Sequence, residues 1–493
     1  MLGSRVLLSS ATLPPSLVEG MFDAYCAGRK HFQKNRGAIP EAPPVIGCAW
    51  IDEFNQTRCD CADTDSFSEA HRAFAQKRHA LLAKAAREQP LRRMELIFPF
   101  APKGEEESRR ECAERALQAA LCLHERHASI DPESGKRVSF GLIRMANIEP
   151  LYDIALKLFE QGAPENRHIH LCVYHSQFPL LIRSRIEKQL DQALNRRKPD
   201  AVFALPDVRR RIDAAPEANH LFIVLGSPVT EVGRDHDYDW AIVEPSSMRS
   251  LIQLAGRVRR HRKEACATPN IFVFDTNLRH CKDPNAPAFC KPGFESGDYR
   301  LKSHSLEKLL RPEECGVIDA RPRILPHPEF DASEACKQNL GDLEHKRLLD
   351  ACRPRTDTLN VCGFWTIPHI HLTAILSQRF PFRDDPIQKT DLALLLNEDE
   401  TDYHMHKVFD GAKRWEKIFI PGESKNQRIP DDRVRGVRIE AWGVLDYLTA
   451  IREQADEMDL TPTECARRYG GVTLPKSEQG WRFHPALGFS KKK

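Results

Sequence analysis

The middle of the chain alternates between two patterns of apolar and polar residues. Short apolar runs typical of buried strands are separated by longer segments in which apolar side chains recur at helical spacing. The predicted strands are residues 94–100, 138–145, 169–174, 220–225, 240–243 and 271–274. The predicted helices between and before them are residues 66–93, 105–127, 149–161, 178–197 and 247–260. Strands that alternate with helices in this way indicate an α/β fold with a doubly wound, mainly parallel sheet.

The last of these helices has two chemically different faces. Its core-facing positions are predicted to be Met248, Leu251, Ile252, Ala255 and Val258. The opposite arc holds Arg249, Gln253, Arg257 and Arg260. Gly256 lies beside this arc without a side chain, so a ligand could approach the backbone there. Guanidinium groups suit bidentate contacts with phosphate, but for the helix considered alone a solvated basic face is the favoured interpretation.

The pattern changes on both sides of this central part. Residues 5–8 predict a short buried strand, followed by a polar loop at 9–12, and residues 41–90 predict an irregular connector and a basic helix. After about residue 281 the alternation fades, which predicts a linker at 281–350 and a smaller, mostly helical C-terminal domain at 351–493. The tryptophans of this last segment are predicted to be core residues rather than base-stacking platforms. They are Trp365, Trp415, Trp442 and Trp481.

Composition and charge narrow the class of protein. A chain of 493 residues is long enough for two or three domains, and 41% hydrophobic with 29% charged residues is typical of a soluble globular protein. No apolar run is long enough to span a membrane and no export signal is present, which predicts a cytoplasmic location. The net charge is only +3, so any nucleic-acid contact must come from local basic stripes. The fifteen cysteines form no CxxC pair, and we expect no metal site.

Three motifs carry a resemblance to a known family. SSAT at 9–12, TEVGRD at 230–235 and QLAGRVRR at 253–260 resemble motifs III, V and VI of superfamily 2 helicases, in the same order. The longer segments RVLLSSATLPP, LCVYHSQFPLL and WRFHPALGF are similar to the signature helicase-nuclease of type I CRISPR systems, particularly its subtype I-F form. The resemblance implies the end of a first RecA-like lobe at 1–40, a connector at 41–90, and a second RecA-like lobe with motifs IV to VI at 91–280.

The resemblance also implies a role for individual residues. Arg257 and Arg260 would reach the phosphates of ATP, with Arg260 as an arginine finger and Gln253 supporting that geometry. The ATP-binding residues would be Gly233, Asp235 and Gly256. The residues coupling the ATP state to strand movement would be Ser10, Ala11 and Thr12. The residues holding the nucleic-acid backbone would be Thr230, Arg144, Asn147, His175 and Ser176.

Two positions of motif VI depart from the family pattern. Leu254 stands where the family often has arginine, so one phosphate or DNA contact is expected to be missing. Arg259 stands where a small or amide residue is common, and we expect the extra charge to leave the helix undisturbed.

Other family motifs are missing from this sequence. It contains no GxxxxGK[ST] phosphate cradle, because Gly135-Lys136 lacks the partner glycine and the following hydroxyl. It also has no acidic magnesium motif ahead of SSAT and no histidine-aspartate nuclease cluster. We therefore expect the chain to be the C-terminal portion of a helicase-nuclease that uses ATP and Mg²⁺, and to be inactive without its N-terminal part.

The expected partners of the complete enzyme are single-stranded DNA, the N-terminal helicase-nuclease part and an RNA-guided CRISPR surveillance complex. Two other interpretations stay open. The chain could be a non-catalytic nucleic-acid-binding or docking module derived from a helicase lobe. It could also be a fragment of an ordinary DNA-repair or RNA helicase.

Overall fold

The computed structural model describes residues 5–36, 43–97, 104–231, 233–352, 387–413, 416–422 and 427–492. Its strands are β1 (Ile46–Ile51), β2 (Gln56–Cys61), β3 (Met94–Ile97), β4 (Ser129–Ile130), β5 (Arg137–Arg144), β6 (Arg167–Tyr174), β7 (Asn219–Gly226), β8 (Trp240–Val243), β9 (Ile271–Phe274), β10 (Lys389–Leu396), β11 (Tyr403–Asp410), β12 (Lys417–Pro421), β13 (Gln427–Arg428), β14 (Arg435–Gly436), β15 (Ile439–Ala441), β16 (Gly471–Pro475), β17 (Trp481–His484) and β18 (Gly488–Lys491).

The α-helices in the described residues are α1 (Pro15–Arg36), α2 (Thr64–Glu88), α3 (Glu105–His127), α4 (Ile148–Gln161), α5 (Leu180–Ala193), α6 (Pro206–Ala214), α7 (Met248–Ala255), α8 (Leu278–Lys282), α9 (Leu306–Leu309), α10 (Arg321–Ile324), α11 (Leu340–Cys352), α12 (Tyr447–Met458) and α13 (Pro462–Tyr469). None of these helices is both long enough and apolar enough to cross a bilayer.

A nine-stranded sheet organises the middle of the molecule. Its order is β14-β15-β6-β7-β5-β8-β9-β3, with the short β4 beside β5. Every neighbouring pair from β15 to β3 is parallel. Parallel sheets are buried on both faces, so their strands need continuous apolar runs, and all eight residues of β7 are buried. The predicted α/β fold with a parallel sheet is therefore confirmed.

One glycine of this sheet makes room for a large neighbour. A Cβ on Gly141 in β5 would lie 2.1 Å from the ring of Trp240 on the adjacent strand β8. Trp240 is completely buried, and its indole Nε1 donates to Ser139 Oγ at 3.1 Å. The absent side chain of Gly141 thus lets the indole lie across the middle of the sheet.

The helix predicted over residues 247–260 is shorter in the structure. It ends at Ala255, with Gly256 as its C-cap, and Arg259 has a φ of 49°. Val258 instead forms a bridge with Tyr238 just before β8, and the Arg259 N–H donates to the Tyr238 carbonyl at 3.0 Å. The prediction that Arg259 continues the helix is wrong, because pairing with a distant segment competes with the last helical turn.

The strand predicted at residues 5–8 is also wrong. These residues are irregular, and Val6 and Leu7 are 60% and 91% exposed. An apolar strand needs a sheet edge to pair with, and no described strand pairs with this segment. Immediately afterwards α1 packs with α2 and the β1–β2 hairpin around a small second core. The larger side chains of that core are Val18, Phe22, Trp50, Phe67 and Phe74.

The C-terminal segment is not mostly helical among its described residues. β12, β11, β10 and β16 form an antiparallel sheet. β13, β17 and β18 form a second, mixed sheet in which β13 is parallel to β17, and α12 and α13 are the described helices. In strands such as β11 polar and apolar residues mix on a half-exposed sheet, a pattern easily taken for an amphipathic helix. The expectation of a helical domain is corrected accordingly.

Part of the C-terminal segment completes the large sheet. β15 pairs in parallel with β6, and Trp442, only 1% exposed, packs edge-on against Phe222 of β7 with ring centroids 5.0 Å apart. Trp442 and Trp481 are buried, as predicted, while Trp365 and Trp415 lie outside the described residues. Residues 281–350, predicted as a linker, include α9 and α10 and most of α11, with Leu306 and Leu343 buried. The domain boundaries themselves stay predictions.

Candidate functional site

Two loops bring the predicted ATP-facing residues together. In one loop Asp235 accepts hydrogen bonds from Arg260 Nε, from Arg197 Nη2 at 2.7 Å and from His261 Nε2 at 3.1 Å. The side chains of Arg260 and Asp235 are 41% and 47% exposed. The Arg260 guanidinium, followed by His261 and Arg197, holds the pKa of Asp235 well below its usual range. The result is a cluster of two guanidinium groups and one imidazole around a half-exposed, ionised carboxylate.

Arg257 anchors the loop that carries Asp235. Its Nη2 and Nε donate to the Glu231 carbonyl at 2.9 and 3.2 Å, and its Nη1 donates to the Arg234 carbonyl. Burial, followed by the neighbouring charge of Arg260, lowers the pKa of Arg257. The guanidinium is thus committed to backbone acceptors and fixes the shape of the loop beside Arg260.

The remaining predicted ATP-facing residues border this cluster. Gly256 caps α7, and its carbonyl accepts from Arg260 Nη1 at 3.4 Å. Gly233 has a φ of 79°, a left-handed conformation that favours glycine, and nothing lies within 4 Å of where its Cβ would be. Gln253 is half-buried in the last turn of α7. Five of the six residues predicted around ATP therefore lie on two loops that contact each other, and Gln253 lies in the helix that leads into one of them. Their role with ATP stays a prediction.

A second aspartate cluster lies beside the first and was not singled out from the sequence. Arg262 donates to Asp237 Oδ1 at 2.6 Å through Nη2, to Asp237 Oδ2 at 3.2 Å through Nε, and to Asp239 through Nη1. Both aspartates are buried. Burial alone would lower the pKa of the Arg262 guanidinium. The negative charges of Asp239 and Asp237 have the larger effect, so the pKa of Arg262 is raised. A signal was present in the sequence as the spacing of Asp235, Asp237 and Asp239.

Arg144 lies inside the protein rather than on a nucleic-acid track. It is fully buried, and its Nε donates to Glu231 Oε1 at 2.6 Å. Its other N–H groups donate to the Glu244 carbonyl at 2.5 Å, to Ser246 Oγ at 2.8 Å and to Ser250 Oγ. This burial is at odds with the predicted direct contact between Arg144 and a nucleic acid.

Glu231 connects this buried network to the exposed cluster. Its carboxylate accepts from Arg144 and from Ser250 Oγ at 2.5 Å, while its backbone carbonyl accepts from Arg257. Arg144 and Arg257 therefore hold the same residue of the loop, Arg144 through the Glu231 carboxylate and Arg257 through the Glu231 carbonyl. The distance along the chain between Arg144 and Glu231, 87 residues, explains why the motif alone did not reveal this pair.

Two other residues predicted to hold a nucleic acid also face inward. His175 is buried, with Nε2 bonded to the Leu487 carbonyl at 2.9 Å and Nδ1 accepting from the Gln177 N–H at 3.0 Å. Burial lowers the pKa of His175 to about 4. Thr230 is buried and donates to the Ser227 carbonyl at 3.0 Å. Their contacts support the surrounding loops from within.

Ser176 and Asn147 are the predicted nucleic-acid residues that reach the surface. Ser176 is exposed, whereas Asn147 is half-buried and accepts from Arg279 at 3.2 Å. Of the five residues predicted to hold the nucleic-acid backbone, these two are therefore the ones whose side chains a ligand could reach.

The predicted coupling residues form a separate group near α2. Ser10 Oγ lies 3.3 Å from Thr12 Oγ1, and the Ala11 carbonyl accepts from Arg78 Nη1 at 3.3 Å. Within the described part of the chain, none of the hydrogen bonds or ion pairs joins this group to Arg257 or Arg260. The structure thus assembles the motif V and VI residues but leaves the coupling role a prediction.

Two family models match separate parts of this chain, one within the large parallel sheet and one in the C-terminal segment. Residues 137–263 match the family described as "CRISPR-associated nuclease/helicase Cas3, C-terminal". Residues 394–491 match "CRISPR-associated Cas3 subtype I-F/YPEST-like, C-terminal domain".

Two curated relatives are similar along nearly the whole chain. Both are described as CRISPR-associated nuclease/helicase Cas3 subtype I-F/YPEST. The protein of Pseudomonas aeruginosa strain UCBPP-PA14 is 45% identical and that of Pectobacterium atrosepticum is 38% identical. Each match covers 99% of this chain but 44% of the relative, so the chain spans about half the length of the curated relatives it matches. A solved structure of T. fusca Cas3 with ADP is similar at 15% identity and a TM-score of 0.46, over 98% of this chain and 50% of that one.

Proposed function

This chain belongs to the Cas3 family of subtype I-F/YPEST and corresponds to its C-terminal part, and we propose that it supplies one half of an ATP site in a DNA-translocating helicase-nuclease. The observation that carries the proposal is the pairing of Arg260 with Asp235. Arg260 is exposed, and its partner is a half-exposed carboxylate that another anion can replace. Arg257 and Glu231 hold the surrounding loop in place.

In the proposed mechanism Arg260 exchanges Asp235 for the terminal phosphate of ATP. Its fixed positive charge stabilises the negative charge that develops on the transferred phosphoryl group. Arg257 does not need to move, because its donors already hold the Glu231 and Arg234 carbonyls. The phosphate cradle and the groups that bind Mg²⁺ are supplied by an N-terminal part that this sequence does not contain.

The nucleic acid is proposed to be single-stranded DNA, contacted through its backbone. Ser176 and Asn147 lie at the surface for such contacts, while Arg144, His175 and Thr230 brace the loops behind them. We further propose that the complete protein acts in the cytoplasm and is recruited by an RNA-guided surveillance complex. A non-catalytic docking module would instead leave the Arg260–Asp235 pair as a static surface contact.

The test uses a complete protein that contains this chain together with the N-terminal part. Arg260→Ala should reduce Mg²⁺-dependent, DNA-stimulated ATP hydrolysis by about a thousandfold, the size typical of a lost arginine finger. Arg260→Lys should recover only a small part, because an ammonium group lacks the planar fork of donors. ATP hydrolysis is measured at saturating ATP and DNA for each variant.

Arg210→Ala is the matched control for this experiment. Arg210 is also an exposed arginine paired with an aspartate, Asp207, but it lies on α6 outside the cluster. Its replacement should leave ATP hydrolysis unchanged. If Arg260→Ala hydrolyses ATP as fast as Arg210→Ala, the proposed role of Arg260 is wrong and the docking-module interpretation is favoured.

A further inference from the structure

Three histidines and a glutamate meet on one face of the large sheet, away from the loops described above. His168 and His170 are two residues apart on β6, so their side chains share a face. In the sheet register His168 lies opposite His220 of β7, and His170 lies opposite Glu440 of β15. The rings of His170 and His220 are stacked, with centroids 5.5 Å apart. The C-terminal segment thus contributes a carboxylate to a histidine cluster of the central sheet.

The hydrogen bonds of this cluster determine where the histidine lone pairs point. The Glu217 backbone carbonyl can only accept, so His220 Nε2, 3.0 Å away, carries a hydrogen. In neutral His220 the other nitrogen, Nδ1, then accepts, and His170 Nε2 at 3.1 Å must be its donor. Neutral His170 consequently has a lone pair on Nδ1. That lone pair lies 3.0 Å from Glu440 Oε1, which in a carboxylate is also only an acceptor.

His168 presents a second lone pair without a donor. Its Nδ1 lies 3.2 Å from the Glu217 carboxylate and serves as the donor of that contact. In the neutral ring Nε2 is then an acceptor, and this buried atom has no hydrogen-bond partner among the described residues. A single proton between His170 and Glu440 would satisfy those two groups but would leave His168 Nε2 unpaired. A divalent cation can satisfy all three groups at once.

We propose that His168, His170 and Glu440 bind one divalent cation of the zinc class. One possible ligand atom of each residue lies within 4.8 Å of the other two. Two imidazoles and one carboxylate are a typical zinc donor set that leaves a fourth position for water. Glu217 and His220 hold the outer nitrogens of the ligand rings, as outer partners of metal-binding histidines commonly do. The inference does not depend on the proposed ATP site.

A cation could reach the site from solvent, because the site borders a cavity. Glu440 is 44% exposed, and it borders a cavity of about 410 Å³ that His168 and Arg211 also line. Arg211 Nη1 donates at 2.7 Å to Glu440 Oε1, the same oxygen that faces His170, so one lone pair of Oε1 and both lone pairs of Oε2 are left for the cation. Zinc ligands lie about 2.0–2.2 Å from the ion, so the Glu440 side chain would move inward on binding. Arg211 would then act as an outer partner of the carboxylate.

The spacing of cysteines and histidines in the sequence predicts no metal site, because the proposed ligands are far apart in the chain. His170 and Glu440 are 270 residues apart, so no short motif contains both. Because the ligands come from β6 and β15, a bound cation would cross-link the C-terminal strand to the central sheet.

Zinc binding by the full 493-residue chain tests the proposal directly. The purified chain is stripped with a chelator, titrated with ZnCl₂ in the absence of nucleotide, and followed by calorimetry, metal analysis and thermal unfolding. We expect one zinc per chain at this site and a zinc-dependent rise in melting temperature, since a ligand that binds the folded state stabilises it. His168→Gln and Glu440→Gln should each abolish this binding and the rise. Glu217→Gln should weaken binding by about tenfold or more, as loss of an outer partner does.

His404→Gln is the matched control. His404 and His406 are also two residues apart on a strand, β11, but residues 393 and 395 of β10, an alanine and a leucine, lie opposite them and supply no carboxylate. This variant should bind zinc like the unaltered chain. Circular dichroism without metal verifies that His168→Gln and Glu440→Gln are folded. The proposal is overturned if the chain binds no zinc, or if His168→Gln and Glu440→Gln bind it as tightly as His404→Gln.

Discussion

Arg260 and Arg262 are two residues apart and face aspartates of the same loop, yet their surroundings differ sharply. The Arg260–Asp235 pair is 41% and 47% exposed. Arg262 is 12% exposed, and its partners Asp237 and Asp239 are at most 1% exposed. Arginine–aspartate pairing is common to both, so burial is what separates them.

The difference separates a structural ion pair from an exchangeable one. Breaking a buried pair leaves an uncompensated charge inside the protein, whereas an exposed pair loses little because water replaces the partner. Arg262 therefore holds the loop in place through Asp237 and Asp239, whereas Arg260 can exchange Asp235 for another anion. Arg257, half-buried and bonded to backbone carbonyls, is intermediate. Alanine substitutions of these three arginines test whether burial decides how much each contributes to stability.

Arg262→Ala should have the largest effect on stability. It leaves Asp237 without its arginine, and it leaves Asp239 with the longer ion pair to Arg196, at 3.5 Å, and the hydrogen bond from the Phe140 N–H. We expect the free energy of unfolding to fall by about 3–5 kcal/mol, measured by denaturant titration. Arg210→Ala, at an exposed pair, is the control. An equal loss in both variants would mean that burial does not distinguish the two clusters.

Arg257→Ala should have an intermediate effect. The Glu231 and Arg234 carbonyls would lose their side-chain donor, at a cost of about 1–3 kcal/mol in the free energy of unfolding. Gln253→Ala removes a neighbouring half-buried side chain that makes no hydrogen bond within the described ranges, so it controls for lost volume. Unfolding curves for both variants that coincide with that of the unaltered chain would contradict the anchoring role.

Arg260→Ala should have the smallest effect on stability but a clear effect on protonation. With its largest cause removed, the pKa of Asp235 should rise towards the ordinary value of about 3.9. A depressed pKa contributes stability above the ordinary pKa, and that contribution is lost as the pH falls through the folded-state value. It should be below about 1 kcal/mol because the pair is exposed.

Carboxyl-carbon NMR of aspartate-labelled protein measures this pKa, and Asp235→Asn assigns the signal. An unchanged Asp235 pKa in Arg260→Ala would show that the two residues are not partners in solution.

The parts of the fold that could be predicted from sequence depend on local pattern. The buried strands β8 and β9 and the helix α3 occur where expected, because an apolar run or a helical period specifies each without help from distant residues. The end of α7 could not be predicted, since Gly256 is acceptable within or after a helix and the distant partner Tyr238 decides the outcome. The inward orientation of Arg144 depends on Glu231 in the same way. The residues of the two motifs do contact each other in the structure, but their spacing in the sequence does not show which of them are buried.

The pairing of β15 with β6 also affects the order of events during synthesis. β6 forms the outer parallel strand of the lobe until Ile439–Ala441 are available, so its backbone N–H and C=O groups on that side have no sheet partner in the meantime. Open strand edges are templates for pairing with other chains, and long-range strand pairs form late because a large loop must close first. We therefore expect nascent or truncated chains that stop before β15 to self-associate, and chains extending through it to remain monodisperse.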